Sequence, residues 1–153
     1  MEPMILLAGL AVAIGLTVTA WRVLRRRSAA AVPSFAGLRE RDFGSAVAKA
    51  FRAQGYESIK AGRGEPMNGV GELVLRRERV TYLVDCRHRH AGKVGVDAVQ
   101  ALQRAMAARG ATGGFVLAGG RFSREAIAFA GSCGIRLVDG AALQAMLGRV
   151  KAP

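Results

Sequence analysis

The first stretch of the chain stands apart by its pattern. From Pro3 to Trp21 no residue carries a charge, and the run ends at Trp21 followed by Arg22, Arg25, Arg26 and Arg27. A helix rising 1.5 Å per residue needs about 20 apolar residues to cross a hydrocarbon core about 30 Å thick. The run therefore predicts one transmembrane helix. A cleaved secretory signal and a buried core helix are the alternatives. A signal would carry its positive charge ahead of the apolar run, where only Glu2 is found. Ala29–Ala31 resembles a cleavage site but follows the arginine cluster. The positive-inside rule places Arg22–Arg27 in the cytoplasm and the N-terminus outside, which reads residues 1–27 as a single-pass anchor in a bacterial inner membrane. Ser28–Ala36, rich in small residues and containing Pro33, reads as a linker. Residues 37–153 read as one cytoplasmic domain.

Within that domain helical and strand periods alternate. Phe43, Val47 and Phe51, with Ala46 and Ala50, share one helical face, so the spacing predicts a helix over Asp42–Gln54 that Gly55 ends. Tyr56–Lys60 reads as a short strand and Ala61–Gly71 as a Gly-rich loop. Glu72–Arg77 and Val80–Arg87 read as strands joined by a tight turn near Glu78. Val96–Arg109 carries Val99, Leu102 and Met106 on one helical face. Gly113–Ala118 is an apolar strand, and Ser123 is placed to cap a helix running to about Ala130. Ile135–Val138 is a last strand, and Leu143, Met146, Leu147 and Val150 mark a last helix. An antiparallel hairpin followed by strand–helix units implies an α/β fold: a mixed sheet with helices packed on it.

Charge narrows the partner. Among 153 residues, Lys and Arg number 23 against 11 Asp and Glu, for a net charge of +12, and 51% of the residues are hydrophobic. That hydrophobic share excludes a disordered basic tail, and two cysteines exclude a disulfide-stapled secreted domain. A strongly basic folded domain meets nucleic acid or an anionic membrane surface.

The residues able to do chemistry lie on the central hairpin. Asp85 and Arg87, two apart on a strand, point to one face, while Val84 and Cys86 point to the other. With the turn near Glu78, Glu72 falls roughly across from residues 84–86. Two carboxylates there suit Mg²⁺ or Mn²⁺, and Arg87 beside them suits the charge that develops in phosphoryl transfer. The plainer alternative is a surface ion pair between Asp85 and Arg87. Cys86, His88 and His90 form C-x-H-x-H, but alternate strand residues make a poor tetrahedral zinc set. Gly119-Gly120-Arg121, between a strand and a helix, reads either as a plain turn or as a backbone cradle for a phosphate. Arg76, Arg77, Arg79, Arg87, Arg89 and Lys93, with His88 and His90, make the hairpin basic. Such a patch suits duplex DNA, and it also suits a solvated strand edge.

Several segments resemble the Mrr-type restriction endonuclease domain of the PD-(D/E)xK nuclease superfamily. They are FRAQGY closing the first helix, NGVGELVL at Asn68–Leu75, YLVDCRHR at Tyr82–Arg89, and the run from Val94 to Gly140. The resemblance implies a restriction-endonuclease-like αβββαβ core acting on double-stranded DNA. It further implies metal-dependent phosphodiester hydrolysis of the type IV (Mrr-like) kind. It assigns Glu72 and Asp85 as metal ligands for Mg²⁺ or Mn²⁺, and Glu72, Asp85 and Arg87 as the catalytic set. Arg76, Arg77, Arg89, Lys93, Gln100 and Arg121 become the DNA contacts, and a homodimer is the further partner expected. The chain departs from the family pattern at four points, one of them Asp85 in place of the motif's usual Gln or Glu. Gly44 stands where the family carries an acid after the helix Phe, Glu72 stands for Asp, and Arg87 stands for the motif's Lys. The alternative expectation is a catalytically inactive, membrane-tethered DNA-binding domain. A third reading is a protein whose charge meets lipid or another partner.

Overall fold

The computed structural model describes residue 35, residues 37–59 and residues 72–151. The uncharged run, the arginine cluster and the loop expected over 61–71 lie outside the described residues. Among the described residues no helix is long and apolar enough to cross a membrane.

The elements run α1 (Glu40–Ala53), β1 (Glu57–Ile59), β2 (Glu72–Arg77), β3 (Val80–His88), β4 (Lys93–Val94), α2 (Val96–Arg109), β5 (Gly113–Ala118), β6 (Arg121–Phe122), α3 (Arg124–Ser132), β7 (Ile135–Val138) and α4 (Gly140–Lys151). The main sheet has the order β1-β2-β3-β5-β7. β1, β2 and β3 are antiparallel neighbours, and β3, β5 and β7 are parallel. The mixed sheet expected from the sequence is therefore present.

Each face of the sheet has its own helices. α1 and α4 bring Phe43, Val47, Phe51, Leu143 and Leu147 onto Leu75, Val84, Cys86, Phe115 and Leu117. α2 and α3 bring Val99, Leu102, Met106, Ala126 and Ala130 onto Leu83, Val116 and Ile135. β5 lies between the two layers and is buried at every position. A parallel strand covered on both faces has no solvent side to mark with polar residues.

Three details depart from the sequence expectation. The core begins at Phe35, inside the stretch read as linker: its ring is 2% exposed and lies 5.6 Å from that of Phe43. Helix α3 runs to Ser132, two residues past the expected end, and Ser123 caps it by accepting the Ala126 N–H at 3.1 Å. The two-residue strands β4 and β6 form a second, parallel sheet. Strands that short leave no period to read.

The C-terminal ends of β3, β5 and β7 meet in a close crossing of three loops. The Gly119 N–H donates to the His88 carbonyl at 3.0 Å, the Arg121 N–H to Gly92 at 2.9 Å, and the Gly140 N–H to Gly120 at 2.9 Å. A Cβ on Gly119 would lie 1.9 Å from the Arg89 carbonyl oxygen, and one on Gly140 would lie 2.0 Å from that of Gly119. These glycines are present because backbone passes where a side chain would sit. The N–H groups of Gly119 and Arg121 are thus spent on neighbouring loops, which disfavours the Gly119-Gly120-Arg121 turn as a phosphate cradle.

Candidate functional site

Glu72 opens β2, and the strand register sets it directly against Asp85 of β3. Opposed residues of an antiparallel pair share a face with Cβ atoms about 5 Å apart. That face is the one covered by α2 and α3, to which Leu83 also points. Among the described residues Asp85 is the one fully buried charged side chain. A plain surface ion pair therefore does not describe it, because one partner is wholly inside.

Arg87 closes over this carboxylate. Its Nε donates to Asp85 Oδ1 at 2.9 Å and its Nη2 to Oδ2 at 2.6 Å, a bidentate fork. Its backbone N–H also donates to Oδ1, at 2.9 Å. The β3–β5 register slips between Asp85 and His88, and the irregularity changes where the strand's last residues point. By strict alternation His88 would follow Cys86 to the α1 and α4 face. Instead its Nε2 lies 3.3 Å from Asp85 Oδ2, although misaligned, so that the nitrogen is buried without a hydrogen-bond partner. Burial by itself would raise the Asp85 pKa. The His88 and Arg87 contacts outweigh it and hold the carboxyl well below the usual carboxylate range.

Glu72 is engaged as well. Arg109, at the last turn of α2, places Nη2 3.3 Å from Glu72 Oε2. Arg109 escaped the sequence reading. Its position suits a cation at a helix C-terminus, and nothing local to it points to a residue 37 positions earlier. Cys86 takes no part, since it packs in the α1 and α4 cluster and burial pushes its thiol up to about 12. The C-x-H-x-H set therefore does not converge. Among the described residues no three His, Cys, Asp or Glu side chains gather as a metal-holding group.

The basic residues fall into two groups rather than one patch. Arg76, Arg77 and Arg79 sit at the β2–β3 tip, where Arg77 pairs with Val80 in register and its guanidinium lies 5.3 Å from the centre of the Tyr56 ring. Arg89, His90, Lys93 and Arg121 lie past the other end of β3, with Lys93 and Arg121 opposed between β4 and β6. Arg89 lies over the Phe43 ring at 5.3 Å, and its Nε points at His90 Nε2 at 2.9 Å. At about 3.3 Å per residue the two groups stand roughly 25 Å apart along β3. Gln100 is half-buried in α2, whereas Lys93 and Arg121 are exposed. Arg87 belongs with the second group.

Residues 35–147 match the family model for the restriction endonuclease domain of the Mrr catalytic type. The chain belongs to that family. This Mrr-type chain is also similar to the crystal structure of protein of unknown function AF1548, with a TM-score of 0.50 and 20% identity. The likeness covers 67% of this chain and 64% of that one, so the chain spans a little under two-thirds of that protein, and it concerns the fold. No curated protein matches.

Restriction-endonuclease-like domains generally use divalent metals. A divalent ion needs carboxylate oxygens with free lone pairs facing a common point. Here both Asp85 oxygens accept from Arg87, and Glu72 is paired with Arg109. Gly44, on α1, brings no third carboxylate. As arranged, the residues do not fit a divalent ion, because guanidinium groups already hold the carboxylates.

Proposed function

We propose that this Mrr-type domain binds duplex DNA along its backbone and does not hydrolyse it. The bidentate Arg87 fork on the buried Asp85 carries this reading. A motif lysine can shift its pKa and help deprotonate a water, whereas a guanidinium stays charged and cannot act as a base. The altered motif keeps an internal cation where the family's chemistry calls for free carboxylates. The basic groups at both ends of β3 support contact with a polyanion.

The test uses the full chain in a nonionic detergent. It is expected to bind labelled duplex in EDTA with little sequence preference and steep weakening by salt, and to leave supercoiled plasmid intact in Mg²⁺ and in Mn²⁺. Plasmid nicking that disappears in Glu72→Ala and Asp85→Ala would replace this reading with a metal-dependent nuclease, for which the direct opposition of Glu72 and Asp85 is the supporting observation.

We further propose that residues 1–27 anchor the domain in the inner membrane with its DNA-facing part in the cytoplasm. The uncharged Pro3–Trp21 run and the arginines after it support this. The chain is expected to stay in the membrane pellet through carbonate extraction, and recovery in the supernatant would end the proposal.

A further inference from the structure

We infer that Arg87 and Arg109 together form a metal-free clamp for a phosphodiester of the DNA backbone, built on the two carboxylates of the hairpin. This rests on the DNA-binding reading above and names the contact that would make it.

The argument begins with what each side chain hides and shows. Asp85 and Glu72 have side chains 0% and 9% exposed, while those of Arg87 and Arg109 are 40% and 36% exposed. The negative groups are inside and the positive groups face solvent. The four formal charges sum to zero, yet a ligand arriving from solvent meets guanidinium first. A guanidinium carries five N–H donors. Arg87 commits its Nε–H and one Nη2–H to Asp85, which leaves three. Arg109 commits only Nη2 to Glu72.

The two arginines are presented together. The carboxylates that pin them are opposed in register on neighbouring strands, and Glu72 acts electrostatically on Arg87. Pinning also lowers the cost of binding. A free arginine loses side-chain entropy on contact, whereas these two are held before the ligand arrives. A phosphodiester suits the pair because its two unesterified oxygens are planar-fork acceptors for guanidinium. Lys93 and Arg121, exposed and opposed between β4 and β6 past the same end of β3, add positive charge that a nucleic-acid backbone can follow beyond a single phosphate.

The experiment measures affinity for a labelled duplex in EDTA over a range of salt, using the full chain in nonionic detergent. Each lost phosphate contact lowers the slope of log K against log salt by about 0.9. Arg87→Gln and Arg109→Gln are each expected to flatten the slope measurably, and the double variant by about one unit in all, because the two arginines share a single phosphate. Arg109→Lys is expected to recover most of the slope, because it restores the charge. A merely structural role would change melting temperature without moving the slope. Arg109→Gln leaves the buried Asp85–Arg87 pair intact, so it keeps the test decisive if Arg87→Gln fails to fold. Parent binding with an unchanged slope in Arg109→Gln and in any folded Arg87→Gln protein would overturn the clamp while leaving DNA binding standing. Absence of parent binding would overturn both.

Discussion

Replacing Arg87 with methionine is expected to lower the unfolding free energy by about 3 kcal/mol at neutral pH. The loss comes from Asp85 rather than from the arginine. Its carboxylate is fully buried and takes three hydrogen bonds from Arg87, two from the guanidinium and one from the backbone. Methionine fills much of the volume but leaves the charge without its partner, and breaking a buried pair from one side costs about 3–5 kcal/mol. The lower end applies because the Arg87 side chain is 40% exposed and water can enter in its place.

The pH dependence separates charge from packing. In the parent the folded Asp85 pKa lies below its unfolded value. The stabilisation is then complete above the unfolded pKa of about 3.9 and is lost as pH falls toward the folded one. In Arg87→Met the guanidinium contact is lost while the His88 contact and the backbone N–H remain, so the folded pKa rises from its depressed parent value and the deficit shrinks as the carboxyl takes up a proton in mild acid. Urea unfolding followed by circular dichroism from pH 7 to pH 4 measures this. A deficit that stays constant across that range would mean that lost packing, not the stranded charge, is responsible.

Gly119→Ala is expected to cost about 3 kcal/mol or more, or to prevent folding. Overpacking in a well-packed region commonly costs 1–3 kcal/mol, and more where nothing can yield. The obstacle here is the Arg89 carbonyl oxygen, 1.9 Å from the new methyl, with its carbon at 2.8 Å. Both are backbone atoms of a loop already tied to Gly119 through the His88 carbonyl, so no rotamer change relieves the contact. Gly148→Ala provides the control. It lies in α4 with nothing within 4 Å of its Cβ, and alanine there is expected to stabilise the helix by up to about 1 kcal/mol. Equal thermal shifts in the two variants would show that the loop crossing is looser than its geometry.

Periodicity, with the Ser123 cap for the third helix, located the four helices, the four central strands from Glu72 onward and the mixed sheet, because amphipathic faces must be spelled out locally for each element to bury one side. The hairpin turn at Glu78 was legible for the same reason, and it by itself sets Glu72 close to Asp85. The family followed from short segments whose order along the chain matches a known pattern. What the sequence could not carry is how the charges pair. Arg109 meets Glu72 only because α2 returns over β3 and β5 and brings its last turn within reach of β2, and a contact spanning 37 residues leaves no trace in local spacing. The irregularity between Asp85 and His88 reverses the alternation on which face assignments rest, so His88 joins Asp85 rather than Cys86. The six basic residues near the hairpin are neighbours in sequence, yet a strand extends them along its length, which splits them between its two ends. Residue type and period determined the architecture, since both act over one or two turns of chain. Burial decided the rest: whether Asp85 stands in water or inside, and which guanidinium answers it, depends on elements that arrive from elsewhere in the fold.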